Sequence, residues 1–301
     1  MQLAVYLITY PFLWLVSILP FRLLYLFSDI LYFFIYNIFG YRTKTVYENI
    51  SLVFPDKTEI EKKVIIKKFY HHLCDMMVEA IKSLTISEKT MKKHFVFQNI
   101  DVINRLENKD KSIILMCSHY GSWEWIFILQ SYVNSKGYAV YKPLANKYFD
   151  RLVKKIRAKY DSHLIATKET IPTLMQEGRA GNRTISGFVS DQSPKLHKAG
   201  YWQDFMGIKV PVHTGAEAIA TKLEMAVVFF GVERIKRGYY KCTFKTITEN
   251  AKLTKKHFVT DSFIMLAEHQ IHEAPEYYLW THKRWKHRNK EQKVVNHKEL
   301  S

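Results

Sequence analysis

Apolar residues follow three rhythms along this chain. Residues 3–39 form the most apolar stretch. Leu3 to Leu19 carries no charge and is interrupted by Pro11; after Pro20-Phe21-Arg22, the run Leu23 to Phe39 carries one charge, Asp29. A spanning helix needs about 20 apolar residues. Each half is therefore borderline, and Arg22 and Asp29 would be costly at a bilayer centre. A cleaved signal peptide fits poorly, since no basic segment precedes the run and no small-residue cleavage site follows it. Three readings stay open: one span plus an interfacial helix, a helical hairpin, or a helix pair lying in one leaflet. Tyr6, Tyr10, Trp14, Tyr25, Tyr32 and Tyr36 suit a membrane interface. A buried helical layer is the plain alternative.

The second rhythm is helical. Ile60, Val64, Ile65, Phe69, Leu73, Met76, Met77 and Ala80 recur at three- and four-residue steps and predict a helix over 58–85, with Thr58 as its cap. Further helices are expected over 121–130, 149–160 (basic and amphipathic), 213–223 and 258–273. The third rhythm is the short apolar run. Ser112 to Cys117, Ala139 to Tyr141, Ile185 to Val189, Met225 to Val232 and the alternating Tyr239 to Ile247 read as strands. Strands interleaved with helices predict an α/β class, a layered sheet flanked by helices, preceded by a membrane-associated helical segment. The division expected is 1–40 for that segment and 41–301 for the domain. The basic tail from Lys283 is expected to fray.

Composition narrows this further. Of 301 residues, 48% are hydrophobic, which excludes a disordered chain. The formal net charge of +17 points to a polyanionic partner. Because Lys and Arg are scattered, with no helix-turn-helix, zinc finger or RNP-like strand, an anionic membrane surface is favoured over nucleic acid. Arg42 and Lys44 place the end of the apolar segment in the cytoplasm by the positive-inside tendency. Cys74, Cys117 and Cys242 are far apart and odd in number, so they read as buried free thiols, with no zinc spacing and no disulfide framework.

The chemistry concentrates in Ser118-His119-Tyr120-Gly121-Ser122-Trp123-Glu124-Trp125. The segment follows a predicted strand and opens a predicted helix, and α/β sheets bind ligands at the carboxyl ends of strands. Gly121 permits a tight turn and Ser122 can cap the helix. Glu124, in the first turn, would fold back on His119 and orient it as a general base for a hydroxyl. The spacing is not that of a zinc protease, so no metal is expected. Asp191 would hold a basic partner or shape the pocket, or serve only as a turn residue before Pro194.

The His119–Glu124 segment resembles the H-x-x-x-x-D/E motif of the glycerolipid and lysophospholipid acyltransferases. It looks closest to their lipid A biosynthesis branch, the late lauroyl and myristoyl transferases, where Glu often replaces Asp. Other matches extend the resemblance over nearly the whole chain: Asn49-Ile50, Phe54-Pro55, Glu79, Tyr141-Lys142-Pro143 (Lys for the family's Arg), Arg157, Asp191-Gln192 without the Gly that commonly follows, Phe205-Met206-Gly207, Thr214, Arg234, and the closing string Pro275 to Lys286. The resemblance implies a glycerolipid-acyltransferase-like fold. It also implies transfer of an acyl chain from a thioester to a hydroxyl of a lipid A precursor, on the cytoplasmic face of the inner membrane and without a cofactor. With that reaction implied, Lys142 and Arg157 are candidates to meet the oxyanion or substrate phosphates, with solvated surface charge as their plain alternative. Trp123, Trp125, Trp280 and Trp285 would line an acyl groove or simply fill the core. Acyl carrier protein is the implied donor, and its acidic surface suits a basic face. A lysolipid, aminolipid or glycolipid acceptor stays open, as does a non-catalytic basic protein on the membrane surface.

Overall fold

The computed structural model describes residues 2–290. A seven-stranded sheet runs through its centre in the order β1 (Phe95–Phe97), β9 (Tyr239–Thr248), β8 (Ala226–Lys236), β2 (Ile113–Cys117), β5 (Thr184–Val189), β3 (Lys136–Tyr141), β4 (Ser162–Ala166). Five of these are the strands expected from sequence: β2, β3, β5, β8 and β9. All neighbours are parallel except the β8–β9 hairpin. The two strands that the apolar pattern does not reveal, β1 and β4, are the sheet's two edges. Edge strands are short and half exposed, so their side chains need not form an apolar run. A separate hairpin pairs β6 (Trp202–Phe205) with β7 (Ile208–Pro211), turning through Met206 and Gly207, both at positive φ. That is the backbone of a tight two-residue hairpin turn.

Both faces of the sheet are covered, and its central strands are apolar on both sides, as parallel sheets require. Along β2, Ile114 and Met116 enter one core while Ile113, Leu115 and Cys117 enter the other. The first core is closed by α3 (Thr43–Val53), α4 (Glu59–Lys82), α9 (Gly215–Lys222) and α10 (Phe258–Glu273). The second is closed by α5 (Glu88–His94), α6 (Asp101–Asn108) and a 3₁₀ segment, Trp123–Ser131. Two more helices, α7 (Lys147–Arg157) and α8 (Thr170–Arg179), connect β3 to β4 and β4 to β5. Thr58 caps α4 in a reciprocal box with Glu61, two backbone donors being satisfied at once. All three cysteines are buried.

The apolar N-terminus forms α1 (Gln2–Ile18) and α2 (Phe21–Tyr32), the latter continued by a π-helical turn, Phe33–Ile38. Residues 21–38 are long and apolar enough to cross a membrane. Yet α2 lies along α4, burying Leu24, Ser28 and Tyr32 at four-residue steps. Asp29 is held against the body of the molecule by Arg237 at 2.6 Å. The opposite face, with Leu23, Leu26, Ile30, Phe33 and Phe34, is exposed, as are Ile8, Phe12 and Leu15 of α1. An exposed apolar surface of this extent marks a site of contact with lipid or protein.

The expected fraying of the tail does not hold where the chain is described. Arg284 and Trp285 are among the most deeply buried side chains, and Trp285 donates its Nε1–H to the Phe205 carbonyl at 3.1 Å. Trp280 is fully buried too; both rings are core, not groove. The closing string is a brace. The Asn49 amide holds the carbonyls of Trp280 and His282 at 2.8 Å each, and Arg42 holds that of Thr281 at 2.9 Å. Residues 291–301 lie outside the described part.

Candidate active site

Strands β2 and β5 are parallel and in register, with Cys117 opposite Val189. Two residues past this last pair, at the carboxyl ends, stand His119 and Asp191. Equal overshoot from paired strands brings them face to face: His119 Nδ1 lies 2.7 Å from Asp191 Oδ1. Asp191 is buried, and about a fifth of the His119 side chain is exposed. A buried carboxylate on Nδ1 fixes the tautomer with a proton there and leaves Nε2 as the acceptor. Nε2 faces the Gln192 amide nitrogen at 3.3 Å and is the atom available to a substrate hydroxyl.

This pairing corrects the expectation for Glu124. Its carboxylate does not fold back to hydrogen-bond the imidazole. It grips Arg157 across the cleft, with Arg157 Nε at 3.0 Å and Nη2 at 2.5 Å, a bidentate fork. The cause is local. The segment after Gly121 is a 3₁₀ helix, not an α-helix, with three residues per turn, and Glu124 meets the last residue of α7. Ser122 does not cap that segment; its hydroxyl is given to Glu79 at 3.0 Å. Glu124 still acts on His119 through space. Burial lowers the His119 pKa, but the charge and hydrogen bond of Asp191, with the charge of Glu124, outweigh it and raise it above 6.5. For Asp191 the same burial raises the carboxyl, and the contact with His119 overrides it to leave a lowered pKa.

Gly121 carries a positive φ, and a Cβ there would meet Val232 Cγ1 at 2.8 Å, so glycine is required for both conformation and space. The turn is tied to the closing string: the Gly121 N–H donates to the Tyr277 carbonyl at 3.0 Å, and the Leu279 N–H to the His119 carbonyl at 3.0 Å.

Two apolar cavities flank the 3₁₀ segment and share Trp123, Glu124, Phe127 and Arg157. One, of about 330 Å³, lies between the segment, α4 and α7, lined by Leu73, Met76, Met77 and Ile156. The other, of about 110 Å³, lies against the sheet, lined by Leu115, Val140, Ile185 and Val189. Trp123 stands edge-on to His119 at 5.1 Å and lines both cavities. Lys142 is exposed beyond β3 and lines neither. Thus Glu124 and Arg157 line both cavities, the His119–Asp191 pair adjoins them through the Trp123 ring, and Lys142 stands apart. No group of three or more potential metal ligands occurs among the described residues.

Two participants carried weaker sequence signals. Gln192 has no signal beyond the Asp191-Gln192 pair, and its place beside Nε2 follows from being the residue after Asp191, the third past β5. Glu79 is one acid among several on a helix. What sets it apart is complete burial, which with the nearby Asp75 charge pushes it up to about 7 despite three hydroxyl partners.

The chain matches the bacterial lipid A biosynthesis acyltransferase family over residues 2–287. It is also similar to lipid A biosynthesis acyltransferase 2 of Shigella flexneri, 19% identical over 133 residues, which cover 44% of this chain and 42% of that relative. The sequence signature, the sheet-end histidine and a match running almost from end to end agree: the chain belongs to the bacterial lipid A biosynthesis acyltransferase family.

Proposed function

We propose that this protein transfers a fatty acyl chain from an acyl thioester, carried on acyl carrier protein, to a hydroxyl of a lipid A precursor at the cytoplasmic face of the inner membrane. The observation that carries this reading is the His119 imidazole, held through Nδ1 on buried Asp191 and set edge-on against Trp123, a wall shared by two apolar cavities. Nε2 takes the proton of the acceptor hydroxyl as its oxygen attacks the thioester carbonyl. The carbon–sulfur bond breaks, and the departing thiolate recovers the proton from the imidazolium. Asp191 stabilises that imidazolium. Arg157, two of whose donors rest on Glu124, is the nearby cation for the charge that develops on the carbonyl oxygen, with Glu124 setting its position. An apolar cavity beside Trp123 holds the acyl chain away from water.

The exposed faces of α1 and α2 seat the enzyme in one leaflet, where its lipid acceptor resides. The exposed Arg151 and Lys155 of α7 offer a basic surface to an acidic carrier. The test uses the full-length chain in vesicles, with labelled acyl groups on acyl carrier protein or coenzyme A and a lipid A precursor or a lysophospholipid as acceptor. Transfer from the carrier to the lipid A precursor is expected. Transfer only to the lysophospholipid would replace the acceptor. No transfer to any lipid would leave a passive membrane-surface protein. A full chain recovered in the soluble fraction without detergent would remove the membrane assignment.

A further inference from the structure

Glu79 sits in the last turn of α4 and is completely buried, where an acidic side chain is rarely found without a function or a full set of partners. Its partners come from three separate elements. Tyr25 of α2 donates to Oε1 at 2.9 Å. Tyr240 of β9 lies 3.0 and 2.9 Å from the two oxygens. Ser122 donates to Oε2 at 3.0 Å. The Glu79 backbone carbonyl takes a further hydrogen bond from Trp125 Nε1 at 3.3 Å. Ser122 and Trp125 bracket Trp123 and Glu124, so Glu79 holds both sides of the segment that walls the two cavities. Tyr25 reaches it past Gly238, where a Cβ would fall 2.0 Å from the Tyr25 hydroxyl oxygen. The tyrosine can cross there only because residue 238 has no side chain.

We propose that Glu79 is a positioning residue for the His119–Glu124 loop, acting through Ser122, and that Tyr25 extends this link to the apolar helix α2. The closing string fastens the loop on the His119 side, through the Gly121 N–H and the His119 carbonyl. Glu79 fastens it on the Glu124 side. The seating of α2 and the geometry of the reacting groups are thus joined by two consecutive hydrogen bonds.

The consequence for turnover rests on the acyl-transfer reading; the consequence for loop motion does not. In the full-length protein, Ser122→Ala removes one contact with little change in volume. It should lower kcat by about tenfold with KM changed by less than about twofold, the signature of misplaced reacting groups and not of lost substrate binding. Glu79→Leu should cost at least as much. Glu79→Gln should recover most of the rate, since an amide can accept from both tyrosines and donate to the Ser122 oxygen. The double variant Glu79→Leu/Ser122→Ala should be no worse than Glu79→Leu. Tyr25→Phe should lower kcat less, by about threefold. Amide hydrogen exchange over residues 119–125 should quicken in Ser122→Ala and Tyr25→Phe while the strands stay protected. Wild-type kcat in folded Ser122→Ala and Glu79→Leu proteins, or losses that multiply in the double variant, would overturn the proposal. If the wild-type chain transfers no acyl group, the catalytic reading fails by itself and hydrogen exchange decides: faster exchange confined to the loop supports the positioning role, and unchanged exchange in Glu79→Leu refutes it.

Discussion

Two charge pairs are anchored on the loop from His119 to Glu124, and they differ in burial and in kind. The His119–Asp191 pair is a single 2.7 Å contact to a carboxylate that is buried. The Glu124–Arg157 pair is a bidentate fork with 32% and 23% of its side chains exposed. Out of water the first pair has no substitute for its partner, so Asp191 determines which nitrogen carries the proton and how basic His119 is. The second pair is reached by solvent, and substrate charge can compete for it. The same loop carries both His119 and Glu124. Where each one's partner sits, at the end of the neighbouring strand or on a helix across the cleft, separates a base with a fixed tautomer from a cation whose donors can be shared.

The largest expected effect comes from the base itself. His119→Ala should remove nearly all transfer, because no other group here is placed to accept the hydroxyl proton. Substantial activity in a protein with an unchanged melting curve would end the mechanism.

Next is Asp191→Asn, which keeps the shape and removes the charge. Turnover should fall by about 10²–10⁴-fold as the preferred tautomer is lost. The pH profile sharpens this. Burial lowers the His119 pKa, the Asp191 charge and hydrogen bond raise it, and the net is upward from 6.5. The imidazole is a base only when neutral, so the rising limb of kcat/KM should lie above 6.5 in the wild type. Without the Asp191 charge, burial dominates and the limb should move to lower pH. A limb that stays in place would show that Asp191 does not control the base. The same pair has consequences for stability. The raised His119 pKa gives a contribution that is complete below about 6.5 and fades as pH rises through the folded value. The lowered Asp191 pKa gives one that is lost as pH falls through its own.

Arg157→Ala and Glu124→Gln should each cost about 10²–10³-fold, the range for losing one preorganised donor. As a unit, their double variant should be little worse than either alone. Multiplying losses would mean that Glu124 serves His119 more than Arg157. The smallest effect at these two charge pairs should be Arg157→Lys. It keeps the charge and loses the fork, so a loss of about tenfold is expected by steady-state assay.

Much of this was legible from residue order. Strands β2, β3, β5, β8 and β9 announced themselves as apolar or alternating runs, because central strands of a covered sheet are buried on both faces. Helix α4 announced itself by its three- and four-residue steps and by Thr58 at its start. The edges β1 and β4 were silent, since half-exposed strands need no apolar run. The tail from Lys283 misled because its charges dominate by count, while burial selected Arg284 and Trp285 from among them. His119, Glu124, Arg157 and Asp191 were all visible as candidates: His119 and Asp191 just past predicted strands, Glu124 in the first turn of a predicted helix, and Arg157 within another, singled out by the resemblance.

What the sequence determined alone, then, was the set of reactive groups and the elements that carry them. Periodicity and turn chemistry act over a few residues, and a strand followed by His119-Tyr120-Gly121 states its own local geometry. What only the tertiary structure decided was partnership. Adjacent and in-register β2 and β5 put His119 on Asp191, 72 residues away in sequence. A 3₁₀ turn aimed Glu124 at Arg157, and three separate elements closed on Glu79. Pairing between distant segments is set by which surfaces pack together, a property of the whole chain that no local spacing encodes.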